Sequence, residues 1–366
     1  MSFLVALLAW FSSVGVVWKY SGAFGLVVYS VVALTAPWWL SRLHPSRRTI
    51  VVLAGLVALV ALFVVLFVYP RANVHVGDRG SDSDDALDLA AHAMLEGRYP
   101  YSQRTYLGNP IAQLPGAVLL ALPFVALGSA AYQALMWWPA FAVRLRFESS
   151  NLRSTGVAVA LVLSSVAAWH ALATGGDGLT NGIYVALATL MVLHRPQAGW
   201  AVVWGVTLAS RAVFWPVVPL TLLVIADRDR AAAWRVGSVV GVTMAALIVP
   251  FWVWSPPRFS PLHTASKLTL LGTVSPWVGI VLFAVGFALG AAWLRRSGPP
   301  EIRLFRSAVV AIGIPVVAMT ILFVALHGEQ GLGYTGYGLE LLPFAAILAV
   351  FSGKEGGAAP SAVKNG

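Results

Sequence analysis

Three observations predict an all-α polytopic membrane fold. Hydrophobic residues make up 59% of the chain and charged residues only 10%. The apolar residues form runs of roughly twenty, long enough to cross a bilayer. Most arginines sit in short loops between those runs, as the positive-inside rule requires. The prediction is a single membrane domain over 1–353, with about eleven transmembrane helices plus short amphipathic helices on the outer side. A Gly-, Ala- and Lys-rich tail, 354–366, is read as a disordered cytoplasmic end. The chain has no cysteine, which excludes disulfide and thiolate chemistry. A net charge of +10 dispersed over interhelical loops does not read as a nucleic-acid surface.

In chain order, Ser2–Trp18 and Gly22–Leu40 are two apolar runs, and the first lacks the basic start and small-residue site of a signal peptide. The basic loop SRLHPSRR (Ser41–Arg48) is expected in the cytoplasm, so Ile50–Tyr69 crosses outward. Ile111–Phe147 is too long for one span. Pro115 and Pro123 divide it into a partial or interfacial helix, Ile111–Leu127, and a crossing, Ala130–Val143. Later crossings are expected at Ser154–Leu172, Ile183–His194, Gly199–Ser210, Val213–Ala226, Trp234–Trp254, Trp277–Leu294, Leu304–Leu326 and Tyr337–Phe351. With this topology sixteen of the 24 Lys and Arg residues lie inside, and most acids lie outside.

The compositional break is Gly77–Pro115. Six of the fourteen acidic residues lie within Asp78–Glu96. Ser81, Asp82 and Ser83 are N-cap candidates, and a helix follows from Asp84 to a stop at Gly97. Leu87, Ala90, Ala91, Met94 and Leu95 form its apolar stripe; Asp84, Asp88, His92 and Glu96 form a polar stripe expected to look into a cavity. Other polar groups fall on the same outer side: Asp177 and Asn181 in TGGDGLTNG, Arg211, Pro256–Lys267, and HGEQGLGYTGY (His327–Tyr337). Ionisable groups at membrane depth are costly and mark substrate paths.

SDSDDALDLAAHAMLEGRYPY (Ser81–Tyr101), followed by NPIAQLPGAVLLALP (Asn109–Pro123), resembles the acidic outer loop and Leu-x-Gly-x-x-Pro-Tyr pattern of the C-type (GT-C fold) membrane glycosyltransferases. GDGLTN (Gly176–Asn181), SRAVFWPVVP (Ser210–Pro219) and YGLELLP (Tyr337–Pro343) resemble further motifs of that family, though Gly336 stands where the family has arginine. The likeness is strongest to the bacterial polyprenyl-phosphate-mannose-type branch common in actinobacteria. It implies transfer of a sugar, mannose favoured, from a polyprenyl-phosphate donor to a glycolipid or glycan acceptor outside the plasma (inner) membrane, with inversion. It also implies no cofactor; a divalent metal is compatible but not favoured.

On this reading Asp84 is the general base, with Asp82 and Asp85 as alternates, because a carboxylate at a helix N-terminus accepts the acceptor's proton. Candidate substrate-binding residues are Arg104, Tyr101, Asn109, Asp177, Asn181, Arg211, His263, Lys267, His327 and Tyr337, the cations serving the departing phosphate. Each has a plainer reading. First-turn acids cap helices, Asp177 suits a turn, Arg211 suits a snorkelling anchor, and tyrosines suit an interfacial belt. The alternative function is a transporter or flippase of lipid-linked sugars; a non-catalytic scaffold ranks third.

Overall fold

The computed structural model describes residues 1–43, 46–74, 80–149, 152–263 and 276–357. Among these every regular element is helical, and one isolated bridge pairs Arg104 with Pro110. Among the described residues five helical runs are long and apolar enough to cross a membrane: Ser2–Leu40, Arg47–Ala72, Arg230–Trp254, Trp277–Leu294 and Pro300–Gly353, the last made of Pro300–His327, a 3₁₀ segment Gly328–Leu341 and the helix from Leu342. Counting each of two bent pairs as one span gives seven.

That is fewer than the eleven expected, for geometric reasons. Ser2–Leu40 counts as one helix but is broken at Gly22, which has φ 62° and ψ −161°. The chain doubles back there, so that Trp10 Nε1 donates to Ser30 Oγ at 2.7 Å and the Tyr29 hydroxyl to the Ala9 carbonyl at 3.2 Å. Two antiparallel legs thus match the expected runs Ser2–Trp18 and Gly22–Leu40 although they count as one helix, and the turn needs a residue free to take positive φ. Pro115–Val125 meets Ala130–Glu148 at 92°, and Leu152–Leu163 meets Val166–Thr174 at 63°. The first bend separates the partial helix from the crossing anticipated after it. Gly178–His194, Ala198–Leu208 and Ala212–Ala226 fall short of bilayer length. The first of them is buried along most of its course, from Leu179 to Leu193, so it needs no lipid contact.

The long helices show the opposite pattern. Only 6% of the Arg47–Ala72 window and 11% of the Arg230–Trp254 window is buried, with Leu59, Phe63, Val242 and Trp252 open to the surroundings. Side chains of that kind on an outer face are covered by hydrocarbon in a bilayer. The last helix, Leu342–Gly357, carries the first residues of the expected disordered tail; 358–366 lie outside the described residues.

Charged loops gather at the two ends of the bundle. At one end Arg144 pairs with Glu148, His194 lies 3.2 Å from Glu301, and Arg303 donates to Asp227 at 2.6 Å. These come from loops assigned to the cytoplasm. The other end collects the Asp82–Leu95 helix, Asp177, Arg211 and Tyr337. Single cysteines at the exposed positions Ser102 and Arg146 should therefore react with an impermeant thiol reagent from opposite faces of the membrane. Labelling of both from one face would overturn the arrangement.

Candidate functional site

The acidic helix spans Asp82–Leu95. Ser81 is its N-cap, its hydroxyl accepting from Ser83 N at 3.2 Å, and Gly97 at φ 69° follows its end. Three acids in the first turn suit the positive end of the helix dipole. Leu87, Ala90 and Ala91 are buried and pack the helix onto a small core with Ile111, Val118 and Phe259; Leu95, expected in the same stripe, is exposed. The N-terminus is docked by backbone: Ser81 N donates to Thr174 O and to Asn73 Oδ1, both at 3.1 Å. Residues 77–79 of this loop lie outside the described residues.

Asp84 is the most constrained member. It is 1% exposed, and one of its oxygens, Oδ2, accepts from the Tyr69 hydroxyl and from Asn73 Nδ2, both at 2.5 Å. The other, Oδ1, is buried with no hydrogen-bond partner among the described residues. A Cβ on Gly175, which holds φ 82°, would lie 2.2 Å from Oδ2, so only glycine lets the Thr174–Asp177 turn approach this carboxylate. Burial, opposed by the Tyr69 hydrogen bond and reinforced by Asp88, pushes the Asp84 pKa up to about 8. Asp88 is also raised by burial; it accepts from Ala130 N at 2.7 Å and from Ser129 Oγ at 3.2 Å. Ser129 in turn lies 2.8 Å from the Tyr69 hydroxyl.

The anticipated polar stripe is therefore divided. Asp84 and Asp88 face inward and tie the helix to neighbours, His92 Nδ1 lies 2.7 Å from its own helix at Asp88 O, and Glu96 pairs with Arg98. Asp82 and Asp85 are half-buried. Asp82 accepts from Asn109 Nδ2 at 2.6 Å and Thr105 Oγ1 at 3.3 Å, and Asp85 accepts from Tyr106 N at 2.8 Å.

Two residues beyond Gly175 stands the second half of the site. Asp177 is 4% exposed, and both its oxygens accept from one Arg211 nitrogen at 2.7 Å. Glu340, 2% exposed, brings its Oε1 to 3.8 Å from Arg211 Nε. Burial alone would raise the Asp177 pKa, but the guanidinium holds it below the ordinary carboxylate range. For Arg211 burial acts downward, and the two acids outweigh it. Asn181 and Gln113 face the same carboxylate. Tyr184 donates to Asn181 Oδ1, while Asn181 Nδ2 stays buried without a hydrogen-bonded partner. Tyr337, 43% exposed, stands where the charges of Arg211, Glu340 and Asp82 are all felt, and stacks on Tyr334 with centroids 6.0 Å apart.

The structure thus unites Asp82, Asp84, Asn109, Asp177, Asn181, Arg211 and Tyr337. Arg211 is not a free anion clamp, because its charge is already shared by two carboxylates. Tyr101 is not a sugar platform: it is 5% exposed and packs edge-on against Phe251 and Phe259. Arg104 is exposed and closes its own loop on Gly108 O at 2.8 Å. His327 ends the Pro300–His327 helix, exposed, 6.3 Å from the Phe323 ring. His263 contributes backbone to the Ser260–His263 turn, and Lys267 lies outside the described residues. Glu340 was not anticipated. Its signal was present as the single acid in YGLELLP, an isolated charge within an apolar run.

No protein-family model, curated protein or solved structure matches the chain.

Two predictions rest on this geometry. Arg211→Gln leaves two buried carboxylates facing one another and should cost about 3–5 kcal/mol of stability. Asp177→Asn leaves a one-to-one pair with Glu340 and should cost less, as thermal unfolding in detergent will show. Between about pH 4, the unfolded Asp value, and about 8 the folded chain keeps a proton on Asp84 that the unfolded chain has released. Stability should fall as pH rises through that window, and Asp84→Asn should flatten the slope. An unchanged slope in the variant would contradict the burial of a proton there.

Proposed function

We propose that the chain is a C-type glycosyltransferase that moves a sugar, mannose favoured, from a polyprenyl-phosphate donor to a glycolipid or glycan acceptor at the outer face of the plasma membrane. One observation carries the reading. The Thr174–Asp177 turn joins the N-terminus of an acidic helix to a buried guanidinium–carboxylate cluster, at one end of a bundle whose long helices present apolar faces. Lipid delivers the donor's hydrocarbon, and the turn presents acids and hydrogen-bonding groups to its head.

In this reading the acceptor oxygen attacks the anomeric carbon while the bond from that carbon to the phosphate oxygen breaks. The acceptor proton passes to Asp84 Oδ1, the buried oxygen that has no partner, and the electron pair leaves with the lipid phosphate. Backside attack inverts the anomeric centre. A base works best with a pKa near the working pH, and burial brings Asp84 to about 8. Tyr69 and Asn73 fix the other oxygen, Oδ2, so that Oδ1 keeps one direction. Arg104, on the loop whose Asn109 grips Asp82, is the cation at the rim for the phosphate. Access to Oδ1 requires the Gly175 turn to part from the carboxylate.

The test is sugar release from a labelled polyprenyl-phosphate-mannose donor by purified protein in nanodiscs with a glycolipid acceptor. Asp84→Asn should fold and bind donor yet lower turnover about 10²- to 10⁴-fold. The wild-type rate should climb with pH up to about 8, because the base must be ionised. Turnover within a few-fold in Asp84→Asn, with loss in Asp82→Asn, would move the base to Asp82. Transfer of intact donor across a liposome membrane, with no bond broken, would establish the transporter reading instead.

A further inference from the structure

The Arg211 cluster has a chemistry that the transfer step does not use. Among the described residues Glu340 Oε2 and Arg211 Nε are buried with no hydrogen-bond partner, and Asn181 Nδ2, though Asn181 faces Asp177, makes no hydrogen bond of good geometry. One orphan is an acceptor and two are donors. Buried polar groups are nearly always satisfied, so unmet capacity of both kinds at one ion pair needs an occupant. The cluster is not sealed. The Arg211 side chain is 16% exposed, and Tyr337, which feels the charges of both Arg211 and Asp82, is 43% exposed.

The donor–acceptor mixture narrows the ligand. A phosphate would meet the Asp177 and Glu340 carboxylates, which already outnumber the single guanidinium. A metal ion would meet that guanidinium and an amide nitrogen. An amine would satisfy Glu340 and leave Arg211 Nε and Asn181 Nδ2 unmet. A hydroxyl both gives and receives: it donates to Oε2 while accepting from Nε or Nδ2. The glycines around it fit a close approach. A Cβ at Gly182 would lie 2.4 Å from the Glu340 carbonyl oxygen, so the helix carrying Asn181 can seat directly against the segment carrying Glu340.

We propose that Glu340, with Arg211 Nε and Asn181, binds a ring hydroxyl of the sugar to be transferred, making this cluster the sugar-reading subsite and leaving the lipid phosphate to other residues. The proposal rests on the transferase reading above and adds the substrate group that the cluster recognises. Discrimination is built in, because a donor lacking that hydroxyl would leave a buried carboxylate unpaired.

The experiment compares two lipids in nanodiscs, polyprenyl-phosphate-mannose and sugar-free polyprenyl phosphate, on wild type and on Glu340→Gln. The variant should bind the mannosyl lipid about ten- to a hundredfold more weakly, the range for a hydrogen bond to a charged group. It should bind the sugar-free lipid as wild type does. Equal loss for both lipids would make the cluster a phosphate site and overturn the proposal. No loss for either would leave the cluster holding water only, and would also overturn it, even if transfer is confirmed. Should Glu340→Gln fail to fold, wild type is tested with donors deoxygenated at each ring position; one of them must lose the same factor, and uniform binding across the series refutes the subsite. If wild type binds neither lipid, the transferase reading itself fails and this inference with it.

Discussion

A single guanidinium held between two buried carboxylates organises one end of this helical bundle. Arg211 begins the short turn after Ala198–Leu208, Asp177 precedes Gly178–His194, and Glu340 comes from the Gly328–Leu341 segment. Apolar packing of Leu179, Ile183, Leu208, Phe214, Leu339 and Leu341 brings these segments together, and the ion pairs fix their polar ends. An isolated charge buried in a bundle costs several kcal/mol, and the cost is offset only when partners arrive with good geometry. Arg211 therefore holds the polar ends of two distant pieces of chain, and the excess acid leaves the assembly short of hydrogen bonds. At the opposite end the Arg303–Asp227 and His194–Glu301 pairs are more exposed, with Asp227 at 56% and His194 at 27%. Such exposed pairs contribute little to stability.

The acidic helix depends on that arrangement. Its N-terminal backbone is fastened to the Thr174–Asp177 turn, and that turn is positioned from its far side by Arg211. Tyr69, at the end of a lipid-facing helix, reaches both Asp84 and Ser129, while Ser129 reaches Asp88. A continuous polar thread thus runs along the inner face of the helix, beside the apolar contacts of Leu87, Ala90 and Ala91. It fixes rotation as well as position, because Asp84 and Asp88 are one helical turn apart and bind different neighbours.

Much of this was legible locally. The capped acidic helix, its stop at Gly97, the break at Gly22 and the division of the Ile111–Phe147 run all follow from residue types within a few positions. What local patterns do not carry is pairing across distance. Tyr101 sits in a polar loop and reads as an interfacial ring, yet its partners Phe251 and Phe259 lie about 150 residues on. Arg211 reads as a free cation until Asp177 and Glu340 are placed beside it. The span number suffered for a related reason. An apolar run of given length can cross lipid, fold back on itself or hide inside the bundle, and hydropathy is alike in all three. Asp84 and Asp82 are both first-turn acids in sequence, and only the turn at Gly175 distinguishes the enclosed one from the open one.

The Gly328–Leu341 segment has a consequence for how the chain is made. It is fourteen residues of 3₁₀ helix, a form that seldom persists so long without support, and part of its support comes from the first helix of the chain. Gly15 N donates to Thr335 Oγ1 at 3.1 Å, and a Cβ on Gly15 would lie 2.1 Å from the Leu332 carbonyl oxygen. The first helix leaves the ribosome hundreds of residues before its partner does. Until that late segment is delivered, Arg211 and Asp177 have no third member and the N-terminal helix has a vacant groove at Gly15. Assembly of the Arg211 site is thus coupled to synthesis of the Gly328–Leu341 segment, and a chain stopped before it would lack the third member of the cluster.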